Sequence, residues 1–295
     1  TSMAIIYQKN RAYSVVFGDA NTGDGFEVRD LNINFDVSKS SDSKKGQNSC
    51  VIEIYNLSKE KQRLLEQDYI ACVLSAGYVD TQVKRLFAGQ VTSATTRKSG
   101  TDTVTQIQMG TAYKELNHET LSKLIPPGKD YKYVIEQLAK DIPGISRVAF
   151  NGTNIKSQVI DGYPLSGTPR EMLDEIARAI DVEISIDDDV MYVADAGGTH
   201  TDDLNTAYVL SRTTGMIERP YAVSGDLRRT AKDKAKKGGV QVKLLLNPDI
   251  VCGSIVKIED EEYDGYYKVA SLRSYGEYRG SNWYTELRLE DKIKV

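Results

Sequence analysis

Leu244-Leu-Leu-Asn-Pro-Asp-Ile-Val-Cys-Gly-Ser-Ile-Val-Lys-Ile-Glu259, a short acidic turn, and then Gly265-Tyr-Tyr-Lys-Val-Ala-Ser-Leu-Arg-Ser-Tyr-Gly-Glu-Tyr-Arg-Gly-Ser-Asn-Trp-Tyr-Thr-Glu-Leu-Arg-Leu289 make up most of the final stretch of the chain. Three strand-like runs are punctuated by Pro248, Gly253, Gly265, Gly276 and Gly280, the pattern of a small antiparallel barrel. In the last run Trp283, Thr285, Leu287 and Leu289 alternate with Tyr284, Glu286 and Arg288, which predicts one buried and one wet face.

Reading back from there, Thr206–Leu210 and Val240–Leu246 are further strands, and Ala196–Asp203 is a polar linker. Ahead of the linker the character changes. Thr168-Pro-Arg-Glu171 is a capping box with proline at the first helical position, followed by Met172, Leu173, Ile176, Ala177 and Ile180 on one face. Asp130 is placed to cap an earlier helix whose Val134, Ile135, Leu138 and Ala139 recur at helical spacing. Val182–Ile186 and Val190–Val193 form a hairpin across Asp187-Asp-Asp189.

The first third returns to strands. Leu31, Ile33, Phe35 and Val37 alternate with Asn32, Asn34 and Asp36, and Val51–Tyr55, Ile70–Leu74 and Thr103–Met109 continue the pattern. The polar stretch Ser38–Ser49 is too long for a tight turn and predicts a projecting hairpin loop. Ser58 can cap a short helix over Lys59–Gln67 that buries Leu64 and Leu65. The plan is therefore mainly β with an α+β insertion: residues 3–110 all-β, 111–203 α+β, 204–295 all-β, with no sequence repeat relating the two β parts.

Composition narrows the function classes. Charged residues are 27% and apolar ones 40% of 295 residues, an ordinary folded composition with room for two or three cores. No apolar stretch approaches the roughly 18 residues that span a bilayer, so no membrane-spanning segment is expected. No signal peptide is read at the start, where Thr1-Ser2 ahead of Met3 reads as a cloning remnant. Cys50, Cys72 and Cys252 are odd in number and lack CxxC spacing, which points to a reducing compartment without disulfides or a zinc site. A net charge of −4 leaves no global footprint for nucleic acid. The 18 tyrosines suit half-buried strands or partner surfaces.

Catalytic motifs are missing. Asp19–Gly25 resembles a calcium loop, but its glycine falls one place early and no glutamate closes it, so a turn is expected. Asp187-Asp-Asp189 and Glu259-Asp-Glu-Glu262 sit where hairpins must turn and read as solvated. His118 and His200 are isolated, and no Walker loop, GxSxG elbow or HExxH occurs. Catalytic, metal-ligating and cofactor-binding residues are thus expected to be none. One local feature stands apart. Arg228, Arg229, Lys232, Lys234, Lys236 and Lys237 lie in one short segment against a single Asp233. The plain reading is a solvated loop, and the sharper one a contact with an acidic partner face or with DNA.

The order of these signals resembles baseplate hub proteins of contractile-tailed phages, the group called phage late control protein D. Thr214-Gly-Met-Ile-Glu-Arg-Pro220, with Gly215 and Pro220, is similar to the family's entry into its last barrel. Gly239–Pro248 with Asn247, followed by Gly253, is similar to the next strand pair, and Gly265–Val269 with Gly276–Trp283 to the closing hairpin. Gly110–Leu116 and the capped helix leading to the 182–193 hairpin match more loosely, and the first hundred residues match in pattern only. The resemblance implies two barrels like tail-tube subunits, 3–110 and 204–295, flanking the insertion. It also implies a structural, non-enzymatic homotrimer between a hexameric tail tube protein and a threefold central spike protein. Other baseplate proteins would be neighbours, and DNA would pass through the channel as cargo. Nucleation of tube assembly, residence in the virion and assembly in the host cytoplasm follow from the same resemblance. A tube initiator or adaptor is the near alternative, and a baseplate-associated hydrolase or carbohydrate-binding module the distant one. Gly215, Pro220, Asn247, Pro248, Gly253, Gly276, Gly280 and Trp283 read as fold-defining, with Trp283 expected in a barrel core.

Overall fold

A computed structural model describes residues 10–19, 22–40, 48–67, 70–111, 120–142, 144–156, 161–187, 189–199, 207–223 and 239–293. The polar stretch 41–47, residues 112–119 of the Gly110–Leu116 motif and its surroundings, the basic segment 228–237, His118 and His200 lie outside the described residues.

The N-terminal part contains β1 (Arg11–Asp19), β2 (Gly25–Val28), β3 (Ile33–Ser40), β4 (Ser49–Tyr55), helix α1 (Lys59–Leu65), β5 (Ile70–Tyr78), β6 (Gln82–Ser99) and β7 (Asp102–Gly110). The middle part runs β8 (Leu121–Ile125), α2 (Tyr131–Lys140), β9 (Arg147–Asn151), a 3₁₀ turn at Asn154–Lys156, β10 (Tyr163–Gly167), α3 (Pro169–Ala179), β11 (Val182–Asp187) and β12 (Val190–Asp195). The C-terminal part holds β13 (Tyr208–Leu210), β14 (Tyr221–Ala222), β15 (Val240–Leu245), β16 (Ile255–Ile258), β17 (Gly265–Glu277) and β18 (Trp283–Ile293).

The alternation read in the sequence sets the faces of these strands. Ile33, Phe35 and Val37 of β3 are buried between half-buried Asn34 and Asp36, and Trp283, Thr285, Leu287 and Leu289 of β18 face inward. Strand pairing, however, joins the two β parts. One 13-stranded sheet runs β14-β15-β18-β17-β3-β4-β7-β6-β5-β1-β2, with β13 and β16 branching from β17. The long β17 makes this possible. Its first residues, Gly265–Lys268, pair with β16, and Ser271–Glu277 pair with β3, while β18 runs along its other edge. Register shifts against β18 fall between Tyr266 and Lys268 and between Val269 and Ser271, beside this changeover. Bulges bend and twist a strand locally, so one strand can serve two differently oriented neighbours. The 18-residue β6 behaves likewise. It pairs with β5 up to Gln90 and with β7 from there on, with shifts at Leu74/Ser75 and Val91/Ser93.

Three apolar cores accompany this sheet. The first gathers residues from Tyr13 to Met109 together with Leu246 and Trp283. The second lies wholly within Ile125–Val193, and the third within Leu210–Leu289. The three cores draw mainly on the first, middle and last parts of the chain, whereas the hydrogen-bonded sheet crosses from the first part to the third. The described strands are not seen to close into two separate barrels, because β17 gives one edge partly to β3.

The middle unit obeys its sequence signals closely. Asp130 caps α2 by accepting from Tyr133 N at 2.8 Å, and the Thr168/Glu171 box on α3 is complete in both directions. Both helices bury their apolar faces in the second core. The carboxylate of Asp195 accepts from the backbone of Thr153 (2.8 Å) and Asn154 (3.0 Å), tying the end of β12 to the 3₁₀ turn. The Thr153 amide first, then that of Asn154, holds the Asp195 carboxyl below the ordinary range, and the Thr168 amide does the same for Glu171. A carboxylate with a depressed folded-state pKa stabilises above its unfolded pKa and loses that contribution as pH falls through the folded value. Unfolding of the middle unit, followed by thermal melts, should therefore ease below about pH 4. Asp195→Asn should lower its midpoint at pH 7 and leave the variant and wild type nearly equal at about pH 2.

Candidate functional site

The turn between β17 and β18 is the part of the molecule where most of the singled-out residues converge. Trp283 begins β18 yet inserts into the first core, where it is 2% exposed. Its indole N–H donates to Gly77 O at 3.2 Å, and its ring meets Phe35 edge-on at 5.1 Å. The reason is spatial. Gly276 lies opposite Trp283 in the β17–β18 register and opposite Phe35 in the β17–β3 register. A Cβ on Gly276 would lie 2.5 Å from Trp283 Cε3 and 2.6 Å from the Phe35 ring. Glycine leaves the gap that both rings fill.

Arg11 clamps the turn from outside. Its guanidinium donates to Glu277 O (2.8 Å), Gly280 O (2.7 Å) and Ser281 O (2.9 Å), and lies 5.5 Å from the Trp283 ring centroid. Glu277 turns back on its own hairpin, accepting from Ser281 N and Asn282 Nδ2 at 3.1 Å each. Tyr278 N donates to Ile33 O at 2.9 Å, and Tyr13 packs edge-on against the Tyr278 ring at 4.8 Å. Burial, then the neighbouring Tyr278, pushes the Tyr13 phenol up, and its hydroxyl donates to Leu31 O at 2.5 Å. Neutral at physiological pH, it acts as a donor rather than an acid.

A second crossing lies at Asn247-Pro248. Leu246 N donates to Trp283 O at 3.0 Å, and the Leu246 side chain joins the first core. Asn247 Oδ1 accepts from Asp249 N at 3.0 Å, an Asx turn that directs the Asp249 carboxylate to Lys84 of β6. On the solvent face of the same seam, Arg273 of β17 forms a two-pronged pair with Asp36 of β3, at 3.0 and 2.5 Å. Arg273 also stacks over Tyr275 at 4.7 Å, and Tyr275 donates to Glu286 at 2.8 Å.

Asn247, Pro248, Gly276, Gly280 and Trp283 are thus brought to one seam. Gly215, Pro220 and Gly253 lie elsewhere in the C-terminal part. Gly215 has φ +104° and accepts from Leu245 N, Pro220 is buried ahead of β14, and Gly253 has φ +81° and donates to Val269 O. Sequence reading missed Arg11, Phe35 and Gly77 as partners of Trp283. Phe35 was legible as a buried strand position, while nothing local marks Arg11.

The chemistry of the surroundings is quiet. The three cysteines are buried, and burial pushes the thiols of Cys72 and Cys252 up. A groove of about 610 Å³ beside Arg212, Arg219 and Glu259–Glu261 collects carboxylates. Asp260 in it is held below the ordinary range by the Glu262 amide first, and its side chain pairs with Arg219, the opposite of what a general acid needs. Among the described residues no group of three or more His, Cys, Asp and Glu is placed to hold a metal ion, and no helix is long and apolar enough to cross a membrane.

Gly276→Ala should force the two rings apart and lower stability by about 1–3 kcal/mol. Trp283→Phe, which keeps most of the packing but leaves Gly77 O without its donor, should cost about 1–3 kcal/mol. Urea unfolding measures both, and an unchanged Gly276→Ala midpoint would mean that the seam is loose.

No curated protein matches the chain. Among solved structures, the tail protein from Neisseria meningitidis MC58 is similar over 96% of this chain and 97% of its own, with TM-score 0.66 and 17% identity. The 43 kDa tail protein of prophage MuSo2 from Shewanella oneidensis is similar over 95% and 100%, with TM-score 0.62 and 11% identity. The E. coli c3393 protein, a component of the type VI secretion system, is similar over 88% and 73%, with TM-score 0.60 and 8% identity. At these identities the likeness is one of fold. The family model described as Baseplate hub gp41 matches residues 15–262. The chain belongs to the Baseplate hub gp41 family, and is a structural component of a phage-type tail baseplate.

Proposed function

We propose that this protein is the ring-forming hub of a contractile tail, in the manner of late control protein D. Three copies close around the tail axis, join the hexameric tube to the threefold spike, seed tube assembly and leave a passage for DNA. The observation that carries this reading is the Trp283 seam. It holds two β parts with separate apolar cores in one continuous sheet, so each chain supplies two coupled segments of an arc. On this reading residues 3–110 and 204–295 act as two barrel-like, tube-matching domains and 111–203 as an appendage. Three chains then offer six such segments to a sixfold tube while keeping threefold symmetry for the spike. The near alternative, a tube initiator or adaptor built on one barrel, is disfavoured by the two separate β cores and by the α+β unit.

The ends of the sheet suit such closure. Among the described residues its path ends in β2 and β14, strands of four and two residues, and short edges protect a chain from indiscriminate pairing until a specific neighbour arrives. The role is structural, with no reaction assigned and no cofactor required. The basic segment, with Arg228, Arg229, Lys232, Lys234, Lys236 and Lys237, serves on this reading as a contact for an acidic protein surface. DNA is the lesser candidate, because a tight cationic grip would hinder a sliding genome.

Light scattering of the protein with its tube and spike partners should give a mass of three copies in the hub layer. A persistent monomer in the presence of both partners would remove the hub reading. Replacing Lys232, Lys234, Lys236 and Lys237 with Gln should weaken co-sedimentation with a partner and flatten its salt dependence, leaving the isolated fold unchanged. Unaltered assembly at every salt concentration would return the segment to a solvated loop.

A further inference from the structure

The α+β unit is attached differently from the other two parts. Its core is entirely its own, with no residue from the large sheet. Among the described residues, polar links join it to that sheet from residues 183–189, the strand β11 and the turn after it. Asp187 pairs with Lys39 of β3. Ile186 O accepts from Asn48 Nδ2 at 2.6 Å. Glu183 pairs with Lys268 of β17 at 3.0 Å, and Asp189 with Arg85 of β6 at 3.0 Å. The two lysines are unusual, with side chains only 7% exposed each. The apolar residues buried nearby in sequence but belonging to none of the three cores are small or few: Val190 and Ala194 on β12, Ile255 on β16 and Ala270 on β17.

These facts set an energy balance. Burying an ammonium and a carboxylate together costs desolvation comparable to their attraction, so such pairs impose a geometry while adding little net stability. Separating the unit from the sheet would return Lys39, Lys268, Glu183 and Asp187 to water, where charges are comfortable, and no apolar core is shared across the junction. Interfaces between separately cored units permit relative motion by default unless they are large and hydrophobic. The turn region 183–189 also bridges the two β parts, since Lys39 lies on β3 and Lys268 on β17, on either side of the changeover at residues 268–271.

We propose that β11 is an ion-pair latch, and that the α+β unit has a second, undocked position reached by rigid-body release of this latch, which uncovers Lys39 and Lys268 on the sheet. The latch is a property of the single chain and stands or falls separately from ring formation.

The test uses the full-length chain. Glu183→Gln with Asp187→Asn removes the carboxylate with which each buried lysine pairs across the junction, which should shift the balance towards the undocked position. Hydrogen exchange should then speed up about tenfold in β11 and in β3 and β17 around Lys39 and Lys268, with a rise in the radius of gyration by X-ray scattering. Amides of α2, α3, β1 and β5 should keep wild-type rates. Faster exchange throughout α2 and α3 would show that docking is part of one cooperative fold and overturn the latch, as would no change at β11. Should the double variant fail to fold, Lys268→Met with Glu183→Leu gives the independent arm. Replacing a buried pair with apolar groups strengthens docking, so exchange around β11 should slow about threefold or more. Unchanged or faster exchange in that variant refutes the proposal.

Discussion

Trp283 is buried in a core to which the rest of its strand does not belong. The five-residue turn between Glu277 and Trp283 carries the indole across from the C-terminal part to Phe35 and Gly77 of the N-terminal part. A buried aromatic of this size contributes several kcal/mol through packing and desolvation, and here that energy acts between parts rather than within one. The β17–β3 pairing, the Arg11 clamp and the Arg273–Asp36 pair all lie within a few residues of it. Each alone is weak, exposed or bendable. Together they lock the angle between two β parts that would otherwise behave as separate domains joined by a linker.

The glycine opposite the ring explains why this arrangement is specific. With Gly276 between them, Trp283 and Phe35 can meet edge-on across β17. Shifting the register of β17 by one residue would move Tyr275 or Glu277 into that space and turn the apolar face outward. The bulges at Tyr266/Lys268 and Val269/Ser271 then let the beginning of the same strand turn away to serve β16. The pairing frame and the bend are therefore set within about ten residues of one another in a single strand.

Local signals were legible in the sequence because local physics produces them. The alternation of β3 and β18, the Ser58, Asp130 and Thr168 caps and the 182–193 hairpin all depend on neighbours within a few positions, and each is present with small shifts at its ends. The resemblance likewise depended on turn residues, and it led to a baseplate family that the chain does belong to. Pairing between distant strands was not legible. Alternation says which side chains point inward, but not whose backbone lies alongside, so two β parts flanking an insertion read as two barrels. The long reach of β6 and the shared edge of β17 leave only weak traces, because the outer half of β6 is polar on both faces. Arg11 gave no sign at all, since its three carbonyl partners lie more than 260 positions away.

The two kinds of junction in this chain differ in what separating them would expose. At the Trp283 seam it would be an indole, a phenyl ring and a row of backbone donors, all costly to leave unpaired in water. At β11 it would be chiefly lysines and carboxylates, whose hydration repays much of the lost attraction. A ring subunit needs stiffness along the arc, because an angular error at each joint is multiplied around the circle and prevents closure. It does not need the same stiffness in an appendage outside the arc. On the proposed ring reading, apolar, register-fixed packing where the two β parts meet and ionic packing where the α+β unit meets them is the distribution of stiffness that such a subunit requires.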